Sequence, residues 1–333
     1  PIEKFKKMTI QYFKMINLPV LSSLSLLIGS FLKTMRWAKY SWNKVIVCYI
    51  LSFSISTGAL FAAKICSIDC IGIITDLPDR VITTKNSKRL GKITSKAVKY
   101  FMGKYDGYVL MTEQMNQLIN TKKKPYRIIE GMVDCKIKMN SVNVNKKSTK
   151  IILYSGGLYE EYGVKVLIEA FMLLSQKNIS LSIYGSGSMV NDIKRFSEID
   201  SRIHYYGVIA NDEVVKAQQK ATLLVNVRPS DQEYTKYSFP SKNIEYMASG
   251  TAVATTILPG IPAEYYDYVY VLDTENIEGI RCTLDTILSK PFDELKNKGA
   301  SAKAFVINHK SNYHQAHKIS QIAEEIAVFR GKI

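Results

Sequence analysis

Beyond residue 150, short β-branched runs alternate with stretches of helical periodicity. Runs at 151–155, 180–184, 203–206, 223–227, 251–255 and 269–272 predict strands, and 164–176, 189–196, 212–220, 241–249 and 274–288 predict helices. Strand and helix in alternation predict a doubly wound parallel sheet with its ligand crevice at the carboxyl ends of the strands. A last helical stretch, 313–329, has no strand of its own.

The first 150 residues are less regular. Residues 45–63 are uncharged and, at about 19 residues, long enough to cross a bilayer. The run divides on its residue types. Val45 to Ile50 is β-branched and short, as a buried parallel strand would be. Ser52, Ser54, Ser56, Thr57 and Gly58 interrupt it, and 59–66 continues as a helix. A second strand at 70–75 completes a βαβ unit, followed by strands at 108–112 and 126–130 and a helix at 113–120. Residues 18–40 read as a helix with one apolar side and Lys33, Arg36 and Lys39 near its end, and 85–104 as a basic helix. The polar stretch 136–150 lacks apolar periodicity and reads as a linker.

Charge separates the two halves. Of 45 Lys and Arg, 26 lie in residues 1–150 against 8 Asp and Glu, an excess of 18; the rest of the chain is nearly neutral. A one-sided positive field favours a polyanion or an anionic membrane surface. No zinc-finger, RNP or helix-turn-helix pattern supports nucleic acid as the partner. At 47% hydrophobic residues the chain can bury a large core. Five scattered cysteines form neither a disulfide framework nor a metal-ligand spacing, which favours a reducing compartment.

Three motifs carry chemistry. Ser155-Gly156-Gly157 follows the first strand of the second half, where glycines let backbone N–H groups approach a phosphate near a helix start. Gly185-Ser186-Gly187 resembles a dinucleotide fingerprint, but Val190 stands where its third glycine belongs, which argues against NAD. The richest is 237–250. There Pro240 suits the first helical position and Ser238 or Phe239 the cap; Ser241 and Lys242 expose N–H groups, and Gly250 ends the helix. Lys242 and Glu245 share a helix face. They suit a diphosphate and ribose hydroxyls, or simply form an exposed ion pair.

The segments SFPSKNIEYMASGTAVATT, GGLYEEYGVKVLIEAF, IYGSGSM and IHYYGVI together resemble the nucleotide-sugar domain of retaining GT-B glycosyltransferases. The resemblance is to family 4, in its bacterial capsule and exopolysaccharide branch. IITDLPDR, YDGYVLMTEQM and EGMVD extend it loosely into the first half. It implies an α/β fold of two Rossmann-like domains with parallel sheets facing a cleft. Residues 1–148 would be an acceptor-side domain incomplete at its N-terminus, 149–308 the donor domain, and 309–333 a helix crossing back to the first domain. By resemblance, Glu245 is the ribose ligand, Gly156 and Gly157 lie near the diphosphate, and Gly207 and Val208 mark where the base is read by backbone. Ser238, Phe239, Pro240, Ser241 and Lys242 contact phosphate and donor sugar.

Besides the short first half, where the opening strand with its glycine loop is not visible, the chain departs from that pattern in two ways. The family's first glutamate falls on Tyr237, leaving Asp231 or Glu233 as substitutes, and its basic pair falls on Gly157 and Tyr162, leaving Lys242, Arg228 and helix N–H groups for the diphosphate. The implied activity is metal-independent transfer of a sugar, with retention, from a UDP- or GDP-type donor to a glycan or lipid-linked acceptor. No cofactor and no catalytic side chain is assigned. The implied place is the cytoplasmic face of the cell membrane, held peripherally. Two alternatives stay open: a non-catalytic nucleotide-binding or partner subunit, and a nucleotide-sugar epimerase of the same fold.

Overall fold

The computed structural model describes residues 2–5, 8–40, 44–77, 98–134 and 149–329. Most of the basic helix expected at 85–104, and the linker at 136–150 up to residue 148, lie outside the described residues. The chain forms two compact units, Pro1–Ile129 with Ala316–Ile333, and Glu130–Gln315.

The first unit opens with an antiparallel hairpin, β1 (Ile2–Phe5) and β2 (Met8–Gln11), and the helix α1 (Pro19–Ala38). Then come β3 (Val45–Tyr49), α2 (Phe53–Ile65), β4 (Asp69–Ile74), β5 (Gly107–Leu110), α3 (Glu113–Ile119) and β6 (Tyr126–Ile128). The four strands from β3 to β6 pair in parallel, in chain order. Ile71, Val109 and Ile129 are buried with Ile322 and Ile326 of the C-terminal helix (Asn312–Phe329).

Two expectations for this unit need correction. The serine-rich stretch after residue 50 does not interrupt the run, since α2 already begins at Phe53. Its small residues serve helix packing: a Cβ on Gly58 would lie 2.1 Å from Ser30 Oγ and 2.2 Å from the Leu27 carbonyl oxygen of α1. Nor is the first strand buried on both faces. Among the described strands β3 pairs with β4 alone, and Val45, Val47 and Tyr49 are exposed. The uncharged run 45–63 is thus split between β3 and α2. No helix among the described residues is long and apolar enough to cross a membrane.

The second unit alternates strand and helix: β7 (Lys150–Gly157), α4 (Val164–Met172), β8 (Ile179–Ser186), α5 (Val190–Ile199), β9 (Ile203–Gly207) and α6 (Asn211–Lys220). β10 (Leu223–Asn226), α7 (Ser241–Ser249), β11 (Ala252–Thr256), β12 (Tyr270–Leu272), α8 (Ile277–Ser289) and α9 (Phe292–Lys310) follow. The sheet is parallel, in the order β12-β11-β10-β7-β8-β9. The chain moves outward from β7 to β9, then returns to the other side of β7 as β10. That reversal opens a crevice at the carboxyl ends of β7 and β10. Ile152, Ile183, Leu223, Val225 and Ala254 of the sheet are buried with Leu167 and Phe171 of α4 and Leu284 of α8.

Helix α9 has no counterpart in the hydrophobic pattern. It buries Leu295, Gly299, Ala302, Phe305 and Val306, and a Cβ on Gly299 would meet the Gly250 carbonyl oxygen at 2.3 Å. The buried positions recur at helical spacing, but Gly299 and Ala302 are small and Lys310 is charged, which weakens the apolar stripe. At its end the buried Lys310 pairs with buried Glu130 at 2.8 Å and with Glu264 at 2.7 Å. This ties residues 130–134 to the second unit, where Val133 N–H also donates to the Lys310 carbonyl.

Candidate functional site

The glycines at the strand ends are not in turns. Gly156 and Gly157 continue β7 and pair with Gly185 and Ser186 of β8, which corrects the expected end of the strand at residue 155. The two strands meet closely here. A Cβ on Gly185 (φ 131°) would stand 1.9 Å from the Gly156 carbonyl oxygen, so another residue would push the strand ends apart. Ser155, Gly156, Tyr184, Gly207, Val208 and Lys242 help line a cavity of about 180 Å³ above these ends. Its Tyr184 ring is stacked on Tyr206 at 4.8 Å, and Val208 is exposed.

Helix α7 is fixed above the sheet by buried hydrogen bonds. Asn226 Nδ2 donates to Asn243 Oδ1 at 2.8 Å, and Asn243 Nδ2 donates to Thr255 Oγ1 at 3.1 Å. One turn on, the Tyr246 hydroxyl accepts from Ser155 N–H at 2.7 Å and donates to the Ser155 carbonyl at 3.0 Å. Burial pushes the Tyr246 phenol up to about 12, so it keeps the proton this arrangement needs. The helix thereby holds the end of β7 through its backbone.

The fully buried Gln218 of α6 extends the network. Its Nε2 donates to Ser155 Oγ at 3.2 Å and to Glu245 Oε1 at 2.6 Å. Lys242 Nζ reaches the same carboxylate at 3.0 and 3.1 Å. Glu245 is therefore held from both sides, and Lys242 and Glu245 form the half-exposed ion pair that their spacing allowed.

The residues singled out from the sequence fall into three groups. Gly156, Gly207, Val208 and Lys242 share the smaller cavity; Ser241 and Glu245 line a neighbouring one of about 320 Å³, with Asn211 common to both. Gly157 and Arg228 lie at the reversal between β7 and β10, where the Arg228 guanidinium sits 4.6 Å from the Tyr162 ring centre. Ser238, Phe239 and Pro240 line neither cavity. Ser238 Oγ donates to the Tyr234 carbonyl at 3.1 Å, and the buried Phe239 packs on the Tyr265 ring at 5.1 Å. Pro240 is the N-cap of α7 and Ser241 its first residue, one position later than expected, because the Pro240 backbone is still extended (ψ 97°). Asp231 and Glu233 are exposed.

Gln218, Ser155 and Tyr246 were not legible as site residues. They lie 63 and 91 positions apart in sequence and meet only through the fold. A glutamine at an otherwise inward position of α6 was the single hint.

A crevice of this kind, with a lysine at a helix start and close-packed glycine strand ends, suits an anionic ligand. Residues 149–289 match the family model described as glycosyl transferases group 1. No curated protein sequence matches the chain with significance. Solved structures match over nearly its whole length. Sucrose-phosphate synthase from Thermosynechococcus elongatus is 14% identical with a TM-score of 0.68, covering 99% of this chain and 85% of that one. HepE of Anabaena, solved with UDP, is 10% identical with a TM-score of 0.66, covering 96% and 85%. A point variant of TarM from S. aureus, solved with fondaparinux, alpha-GlcNAc-glycerol and UDP, is 17% identical with a TM-score of 0.64. The match covers 89% of this chain and 58% of TarM, so the chain spans less than two thirds of that relative. At these identities the likeness shows the fold, an α/β GT-B-like fold with two parallel sheets.

Proposed function

We propose that the chain is a glycosyltransferase of the retaining, metal-independent kind. It moves a sugar from a UDP- or GDP-type donor to a glycan or lipid-linked acceptor, in the manner of the family 4 capsule and exopolysaccharide enzymes. The observation that supports this reading best is the held Glu245 carboxylate. It lies beside Lys242 at the first turns of α7, lining the larger cavity, while Lys242 lines the one at the Gly156–Gly185 strand ends. A carboxylate so placed suits ribose hydroxyls, and the lysine and helix start suit a diphosphate. The group 1 match over 149–289 and the neighbours solved with UDP favour the same donor class.

In this reading the bond from the sugar's anomeric carbon to the diphosphate oxygen breaks and its electron pair stays on the diphosphate. The acceptor hydroxyl oxygen forms the new bond from the same face, and its proton passes to the departing diphosphate oxygen. The protein contributes placement and positive charge where negative charge grows.

A peripheral place on the inner face of the cell membrane suits the basic excess of residues 1–150 and the exposed Val20, Leu24, Ile28 and Leu32 of α1. The test of function is turnover. Full chain incubated with UDP- and GDP-sugars and lipid-linked acceptors should release nucleoside diphosphate in step with acceptor glycosylation. Isomerised donor without any acceptor product would identify an epimerase, and no turnover with any donor would leave a binding subunit.

A further inference from the structure

Arg228 follows β10, at the point where the sheet order reverses, and among the described residues it pairs with no carboxylate. Its guanidinium lies between two rings, 4.6 Å from the centre of Tyr162 and 5.6 Å from that of Tyr234, and its Nε is buried without a hydrogen-bond partner. Lys242, by contrast, already has Glu245.

The position is built from both sides. Thr256 Oγ1 donates to the Arg228 carbonyl at 2.5 Å, fixing its backbone to β11. A Cβ on Gly163 would stand 2.0 Å from the Val227 carbonyl oxygen, so the segment carrying Tyr162 lies directly against the one carrying Arg228. Tyr154, whose hydroxyl donates to the Gly157 carbonyl at 2.9 Å, feels the Arg228 charge, which offsets part of the upward push of burial on that phenol. A Cβ on Gly157 would stand 2.9 Å from Tyr162 Cε2, and the guanidinium lies over that same ring, so it sits at the Gly157 end of β7. Stacking between rings holds an arginine in place while leaving its donors free, and a planar fork of N–H groups matches phosphate oxygens.

We infer that Arg228, cradled by Tyr162 and Tyr234, is a second cation, beside Lys242, that meets the donor's diphosphate and takes up its charge as the sugar leaves. This rests on the reading of the crevice as a nucleoside-diphosphate site. Tyr162 then has a positioning role: it presents the arginine from the place where the resemblance implies a basic side chain.

The experiment is calorimetric titration of UDP and uridine (GDP and guanosine if the wild type prefers guanine) into wild type, Arg228→Gln, Arg228→Lys, Tyr162→Phe and Tyr162→Leu, with melting temperatures of each. Arg228→Gln should weaken the diphosphate about ten- to a hundredfold, as loss of a charge-assisted hydrogen bond does, and leave the nucleoside unchanged. Arg228→Lys should recover part of the loss. Tyr162→Leu should weaken the diphosphate severalfold, while Tyr162→Phe, which keeps the ring, should not. Undiminished diphosphate affinity in folded Arg228→Gln overturns the assignment. So does an equal loss of nucleoside and diphosphate in Arg228→Lys, which would mark a structural role. If the wild type binds neither UDP nor GDP, the donor reading itself falls, and this assignment with it.

Discussion

The Gln218 amide nitrogen stands 2.6 Å from Glu245 Oε1, a contact between α6 and α7 that holds the carboxylate at the edge of the larger cavity. Gln218→Leu removes that donor and leaves Lys242 alone to hold Glu245. Nucleotide affinity should fall severalfold, with a stability loss of about 1–3 kcal/mol for the broken buried bonds. Gln218→Glu sets two carboxylates against each other and should cost more. Denaturant melts and titrations of the two variants test the ranking.

Glu245→Ala should lower nucleoside-diphosphate affinity roughly ten- to a hundredfold, about 1.5–3 kcal/mol, because a charge-assisted hydrogen bond is lost. Lys242→Ala should weaken the diphosphate and barely change the nucleoside. If the pair is only a half-exposed surface contact, either change costs tenths of a kcal/mol of stability and nothing in affinity. Titrating UDP and uridine against both folded variants separates these outcomes.

Acid should act through Asp200. Hydrogen bonds from Arg202, aided by its charge, hold this carboxyl below its ordinary value. A depressed carboxylate contributes stability that is fully present above its unfolded value, near 4, and that fades as pH falls through the lower folded value. Arg202 also donates to the carbonyls of Met172, Leu174 and Gln176, so the pair ties β9 to the end of α4. In melts from pH 7 to pH 3, Asp200→Asn should start lower than wild type, and the gap should narrow toward pH 3. A constant gap would show that the carboxyl's charge is not what matters.

The strands of the second unit were legible to within one or two residues, because the inner strands of a parallel sheet covered on both faces leave short β-branched runs, while the edge strand β9 exposes His204 and Tyr206. The expected range 241–249 for α7 is the one observed, ended by Gly250, but Pro240 is its N-cap and not its first residue. What escaped were contacts made by small or polar residues. Gly58 and Gly299 stand where an apolar stripe would normally signal packing, which hid the start of α2 and the whole of α9. Gln218 and Tyr246 act through partners far away in sequence, and no local spacing encodes such pairs.

Binding to anionic membranes should depend on both charge and apolar contact. Vesicles containing phosphatidylserine should sediment with the protein at low salt and release it as salt rises, each surface Lys or Arg adding up to about 1 kcal/mol. Changing the exposed Leu24 and Ile28 to Ser should weaken binding at constant charge. Equal binding to neutral vesicles would count against an anionic surface as partner, and no binding at low salt against any membrane surface.

A nucleoside diphosphate should occupy the crevice of the second unit, and a thermal-shift panel of UDP, GDP, ADP and NAD against the full chain tests that most directly. A ligand at about 100 times its dissociation constant stabilises the native state by about 2.7 kcal/mol, or roughly 5–10 °C for a unit of this size. The predicted result is such a shift with UDP or GDP, lost in Glu245→Ala. A shift with NAD alone, or none with any nucleoside diphosphate at millimolar concentration, would contradict it.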